Sequence, residues 1–467
     1  MKKILSFTFA FNVVCFMAHS QNKTNDTLTN STTPPTIVKK FHQGRWERVS
    51  EMTQEELFNP KKHKLESSKE DLRSKSDNQI LPRTASINWK DTDGNIYIFG
   101  GKGIDETKNE GLFSDIWQYT PKSKKWVSVN GQKESKKFKQ NDEKSLTTTT
   151  TSPLARQDAA TWVGKDNCLY LFGGNTSTQS ENLGDFWKFD NKTKTWTLIS
   201  NSTEFNKKSV SSGKNKSNKI NTPAGRANAT TWVDKNGDFW LFGGLTYDKT
   251  LATNGYLNDL WKYDFNKKTW IWINGELKTN SKANKNQDSK TESFPSSRAQ
   301  CLAWYDKSNN NLWLYGGFGL SDEGNFYGGL SDMWFFDIKS SKWILKYSSS
   351  KLFQQATVKT IGYEHTENNP GFRIGGTTWV DGSGDLLLYG GQKTFNNDTL
   401  KMERNIWKFS LSTLQWIPIY AKKAPSIISS AAHNEVETNE VWFICGEYMD
   451  DKFNVKYSNT IWKFKEQ

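Results

Sequence analysis

A Gly pair that closes a short aliphatic–aromatic run constrains this chain more than any other feature. It falls at Gly100-Gly101, Gly173-Gly174, Gly243-Gly244, Gly316-Gly317 and Gly390-Gly391, with a degraded copy at Cys445-Gly446. Runs such as Leu169-Tyr170-Leu171-Phe172 and Leu312-Trp313-Leu314-Tyr315 lead into the pairs. A Trp-centred run follows each, at Trp117, Trp187, Trp261, Trp334, Trp407 and Trp462. In the first five copies a second Trp stands nine positions on, at Trp126, Trp196, Trp270, Trp343 and Trp416. Upstream, Arg83, Arg156, Arg226, Arg298 and Arg373 each stand six residues before Trp89, Trp162, Trp232, Trp304 and Trp379. Self-similarity at such a period means stacked supersecondary units, because one unit alone cannot bury its apolar faces.

Each copy reads as four short strands. The first runs from the Arg to its Trp. A turn such as Asp234-Lys235-Asn236-Gly237 leads back into the second, which ends at the Gly pair. A polar loop leads to the third, and a short turn such as Asp190–Lys194 to the fourth. Four antiparallel strands with periodic Gly and aromatics predict one propeller blade. The glycines allow backbone angles and close approaches that a Cβ forbids. The tryptophans fill the space between blades.

The last copy stops three residues after Ile461-Trp462-Lys463-Phe464, so its fourth strand is missing. The orphan Arg45-Trp46-Glu47-Arg48-Val49 matches the missing piece. An open ring would leave strand edges unpaired. The expected fold is therefore all-β, a six-bladed β-propeller closed by an N-terminal strand (44–49) that completes the C-terminal blade. The blades are expected near 82–127, 153–199, 223–273, 295–346, 370–419 and 425–467.

Apolar residues make up only 34% of the 467, yet 21 are Trp, which suits thin sheets packed face to face. Residues 1–20 read as a signal peptide, with Lys2-Lys3, an apolar run to Ala18, and Ala18-His19-Ser20 before Gln21. That run is too short and interrupted for a transmembrane helix. Residues 21–43, of Asn, Thr, Ser and Pro, read as a flexible tether. The expectation is a monomer that is secreted, periplasmic or held at the cell surface. The four Cys lack CxxC spacing and support neither a disulfide framework nor a zinc site. The net charge of +13 gathers in Lys-rich connections such as 198–222, read as solvated loops. Those lysines have no aromatics among them, so nucleic acid is not an expected partner.

The Gly pair, the Trp spacing and the Asp-x-Trp opening of the third strand (Asp115-Ile116-Trp117, Asp185-Phe186-Trp187, Asp259-Leu260-Trp261, Asp332-Met333-Trp334) resemble the kelch-repeat β-propeller family across residues 44–467. Trp240-Leu241-Phe242-Gly243-Gly244 is most similar to secreted bacterial members. The fifth copy departs from the pattern with Asn405 for Asp. The sixth departs with Cys445, Ile428 and Asn459 for Gly, Arg and Asp. The resemblance implies a binding module. A minority of the superfamily are enzymes, among them galactose-oxidase-like copper enzymes and sialic-acid epimerases, and the fold does not choose between them. A galactose-oxidase-like site would need two His and two Tyr with a Cys crosslink. The five His (19, 42, 63, 365 and 433) offer no such constellation, so no metal and no cofactor is expected. Turns such as Asp91–Asn95 lack the Gly and terminal Glu of an EF-hand loop.

Loops between second and third strands and connections from fourth to first strands emerge on one side of such a ring, and here they are the long ones. Loops on a rigid scaffold commonly carry recognition. The five arginines (Arg83, Arg156, Arg226, Arg298, Arg373) are placed near that face. They suit a carboxylate, sulfate or phosphate through forked hydrogen bonds, or else pair with the third-strand Asp and tie strands together. Tyr247, Tyr256, Phe318, Phe326 and Tyr327 are positioned to stack on a ligand, or to pack the loops locally. The reading is an exported, non-catalytic module that binds a protein or glycan, an anionic one included, through the elaborated face. The alternative is a sugar epimerase that holds a carboxylate on the Arg ring. No catalytic residue is assigned.

Overall fold

A computed structural model of the chain describes residues 43–49, 80–105, 109–130, 151–176, 180–200, 204–286, 292–348, 351–396, 399–422, 424–425, 431–435, 440–449 and 455–466. The signal peptide, the tether up to 42 and Ile428 lie outside them. Among the described residues every regular element is a strand, and no helix is long and apolar enough to cross a membrane.

The strands form repeated four-stranded antiparallel units. The first is Ile87–Lys90, Ile96–Phe99, Ile116–Thr120 and Lys125–Asn130, paired in that order. The second unit begins at Ala160–Val163, the third at Thr230–Val233, the fourth at Leu302–Asp306, the fifth at Thr377–Val380 and the sixth at Ala431–Glu435. Burial follows position in the unit. Second strands such as Leu169–Phe172 and Leu386–Tyr389 are buried on both faces, which explains their unbroken apolar run. First strands alternate buried with half-buried residues, and the fourth strands of the first and second units are largely exposed.

The first strands of successive units touch in sequence, and that of the sixth touches that of the first, so the inner strands form a closed cycle. The core has the same cyclic order. Apolar clusters join the first unit to the second, the second to the third, and so on to the fifth and sixth. A further cluster packs Trp442, Ile444 and Ile461 of the sixth unit against Ile96, Ile98 and Trp117 of the first. The protein is an all-β propeller with its core between sheets.

The N-terminal strand Gln43–Arg48 supplies the fourth strand of the last unit, antiparallel to Val455–Glu466 with Trp46 opposite Phe464. It also does something the repeat pattern does not show. Its first residues run parallel to the outer strand of the fifth unit, Gln43 beside Tyr420 and Arg45 beside Lys422. The fifth and sixth units thereby merge into one eight-stranded sheet. Trp46 is buried between them, with ring centroids 4.6 Å from Tyr389 and 4.8 Å from Phe443.

Candidate functional site

The arginine ring is mostly internal. Arg83, Arg156, Arg226 and Arg298 have no exposed surface. Arg226 shows the pattern: Nη1 donates to Asp259 Oδ1 at 2.6 Å, Nη2 to Asp259 Oδ2 at 2.7 Å, and Nη1 also to the Gly243 carbonyl at 2.9 Å. Trp261 Nε1 donates to the same carboxylate at 2.7 Å. Arg83, Arg156 and Arg298 repeat this with Asp115, Asp185 and Asp332. The Gly pair carries the tie to the next unit. Gly174 N–H donates to the Arg226 carbonyl at 2.9 Å, and Gly101 and Gly317 reach Arg156 and Arg373 in the same way. A Cβ on Gly243, at φ 63°, would lie 2.5 Å from the Arg298 carbonyl oxygen, so only glycine seats there. Four of the five arginines expected to face a ligand are thus latches within and between units. Their donors are consumed because a buried guanidinium must be paired.

Arg373 stands apart. It too is fully buried, but Asn405 replaces the partner Asp and its side chain is exposed. Burial pulls the Arg373 guanidinium below its ordinary value, and the charge of Glu403 offsets part of that.

The loop-bearing face is built by a repeated anchor. Asn206, Asn280 and Phe353, each in the left-handed region at φ 58°, 57° and 54°, donate their backbone N–H to the carbonyls of Asn182, Tyr256 and Gly329. The connections leaving the second, third and fourth units are therefore each pinned to the loop of that same unit, and there both kinds of loop share one face. The Lys- and Asn-rich connections expected to be mere solvated loops are fixed where they are described. Asn215 N–H donates to the Trp272 carbonyl at 2.8 Å, and the Asn221 amide to the Trp270 carbonyl at 3.0 Å. These bonds cap the outer edge of the third unit.

Between the third and fourth units these loops enclose an open cleft of about 550 Å³. One wall is Glu276–Asn284 with Phe294, and the other is Leu320, Glu323 and Gly324. Its charges are mixed, with Lys278 and Lys282 beside Glu276 and Glu323. Lys285 pairs with Asp322 across the loops. Thr279 Oγ1 donates to Asp248 Oδ2 at 2.5 Å and holds that carboxyl below its usual value.

The aromatics expected here divide. Tyr256 and Phe318 are buried, 5.9 Å apart, and pack the loops together, so neither presents a face to a ligand. Tyr247 is half-buried. Phe326 is 65% exposed and Tyr327 38%, both on the hairpin that walls the cleft. Leu251, 57% exposed, tips the neighbouring hairpin.

A second feature lies at the inner rim and went unread in the sequence. Ala85, Asp158, Asn228 and Gln300, each two residues after its Arg, adopt φ between 52° and 58°. They form a chain in which Asp158 N–H donates to Ala85 O, Asn228 N–H to Asp158 O and Gln300 N–H to Asn228 O. Half-buried Asp158 is pushed up to about 7 by burial, against which an Asn228 hydrogen bond works only partly. The signal was the position two residues after each Arg, which is non-Gly in the first four copies and carries no propensity there, but is Gly375, at φ 64°, in the fifth.

Among the described residues no three His, Cys, Asp or Glu side chains gather as metal ligands. The Asp91 carboxylate, in the turn compared with a calcium loop, accepts backbone N–H groups from Asp93 and Asn95. Cys168, Cys301 and Cys445 are unpaired, and burial pushes the thiols of Cys301 and Cys445 up to about 12. Cys445 keeps the left-handed backbone of the glycine it replaces, at φ 57°. Residues 137–343 match the KLHDC2/KLHL20/DRC7 Kelch-repeats domain. No curated protein matches the chain.

Proposed function

We propose that this kelch-repeat protein is a binding module for another protein, and that its contact surface is the loop-bearing face centred on the cleft between the third and fourth units. Kelch repeats generally mediate protein binding. The observation that carries the placement is the exposure of Phe326, Tyr327 and Leu251 on two adjacent hairpins beside the cleft. Exposed apolar side chains that gather at a concave, mixed-charge rim mark interaction sites. Buried Tyr256 and Phe318 hold those hairpins in place, so the surface is preorganised. The epimerase alternative loses support, because four of the five arginines it needs are spent on Asp partners.

The test is a peptide and glycan array probed with the wild type, a Phe326→Ser/Tyr327→Ser variant and a Lys307→Ala control in a turn between strands of the fourth unit. The expected result is peptide signal that falls at least tenfold in the double variant and persists in the control. Peptide signal unchanged in the double variant would sink the placement, and signal on glycans alone would replace the protein partner with a sugar. Export through residues 1–20 is part of the same reading. N-terminal sequencing of protein recovered outside the cytoplasm should begin at Gln21, and a chain retained whole in the cytoplasm would remove it.

A further inference from the structure

We infer that the fifth unit contains a carboxylate-binding site formed by Arg373 and Trp407, at the place where the other latched units hold their own aspartate.

Four units of this chain serve as internal references. In each, one carboxylate on one methylene accepts two guanidinium N–H groups and an indole N–H. The Arg Nη1–Asp distances are 2.6–2.7 Å in all four. The indole distances are 2.6 Å from Trp117, Trp187 and Trp334 and 2.7 Å from Trp261. The fifth unit keeps the donors: Arg373 and Trp407 have no exposed surface. Among the described residues, Arg373 Nε and Nη2 and Trp407 Nε1 have no acceptor. Nη1 donates only to the Phe372 carbonyl, at 3.0 Å, rather than to a carboxylate and the Gly carbonyl of its own unit.

Burying an unpaired guanidinium is costly, and the cost falls when an anion with matching geometry arrives. Two oxygens on a planar head fit the fork, and in the reference units a CH₂–COO⁻ fragment occupies the corresponding place. Acetate has that size. A free small acid and the acidic or C-terminal group of a peptide present the same chemistry. Access follows from the substitution that removed the latch. Asp115, Asp185, Asp259 and Asp332 are buried where they plug their sites, whereas Asn405 is exposed and its amide donates to Glu403 Oε2 at 2.9 Å. The burial that depresses Arg373 is consistent with a cation awaiting its counter-charge. This site is separate from the cleft between the third and fourth units, and neither reading depends on the other.

Acetate titrated at constant ionic strength against chloride tests the site, read by thermal melting and calorimetry. The wild type should gain about 2–4 °C at saturation. Asn405→Asp, which supplies the carboxylate from within, should melt higher than the wild type and lose the acetate response. Arg373→Gln should lose the response too, and if it does not fold, Asn405→Asp still decides. A short peptide with a free C-terminus, compared with its amide, separates the two sources. Response to acetate alone assigns a free small acid, and response to the free-acid peptide assigns a macromolecular group. No acetate- or peptide-specific response in the wild type overturns the site. So does a response that persists in Asn405→Asp, or one that appears only after Glu403→Gln, which would make Glu403 the resident counter-ion.

Discussion

The first four units and the last two are held to their neighbours by different devices. In the first four, a buried Arg–Asp pair locks the first strand to the third, and the Arg carbonyls of the second, third and fifth units accept from the preceding Gly pair. In the fifth the Arg remains without its Asp, and the sixth has Asn459 in the Asp position. There one segment, Gln43–Arg48, hydrogen-bonds to both units and inserts Trp46 between their cores. Electrostatic latches close the ring where the chain is continuous. A shared strand closes it where the chain's ends meet. A strand contributes backbone bonds and an aromatic anchor together, so the last two units can tolerate loss of the latch. That loss is what frees the donors of Arg373.

This contrast can be broken at several points. Deleting residues 43–49 should have the largest effect. It removes two strand pairings and a buried Trp worth about 3–5 kcal/mol by itself, and calorimetry should show the whole ring melting early. An unaltered melting profile would mean that the shared strand is dispensable. Asp259→Ala comes next. It leaves Arg226 buried and uncompensated, at a cost of about 3–5 kcal/mol by chemical denaturation. Asn405→Ala, at the matching position of the fifth unit, should stay within about 0.5 kcal/mol. Asn405→Asp should install the missing latch and stabilise by about 1–3 kcal/mol, since bonds to charged groups contribute that much.

Asp158 on the rim gives a smaller effect that depends on pH. Its folded value of about 7 lies above the roughly 3.9 of an unfolded Asp, so between these values the folded chain holds a proton that the unfolded chain has lost. Its contribution should be full below about pH 4 and decline as pH rises toward 7. Asp158→Asn should remove that slope in urea titrations run across this range, and a slope left intact would place the titration elsewhere. Phe326→Ser should change stability least, within about 0.5 kcal/mol, because its ring is exposed. A large loss would make Phe326 a structural residue and not a contact residue.

The four-stranded unit was legible because its causes are local. Alternation, Gly pairs and Trp spacing depend on side-chain period and backbone angle, which a sequence displays directly. The sixth unit's dependence on residues 43–48 was also legible, from a missing strand and an orphan that fitted. The anchors at Asn206, Asn280 and Phe353 were not, because three different contexts converge on one left-handed conformation that Phe does not advertise. Tyr256 and Phe326 belong to the same residue class and lie in corresponding loops, yet one is buried and the other exposed. Hydrophobicity cannot separate them, because what covers Tyr256 comes from Phe318 and Ala299, distant in sequence.

By itself the sequence determined the repeat, the all-β propeller and the need for a closing strand, since periodicity and strand edges follow from covalent geometry and hydrogen bonding along the chain. Only the tertiary structure decided which arginines are spent and which is not, where the cleft opens, and that the closing strand serves two units. Those outcomes depend on which donors and acceptors meet across tens of residues, and on whether a neighbouring loop shuts out water.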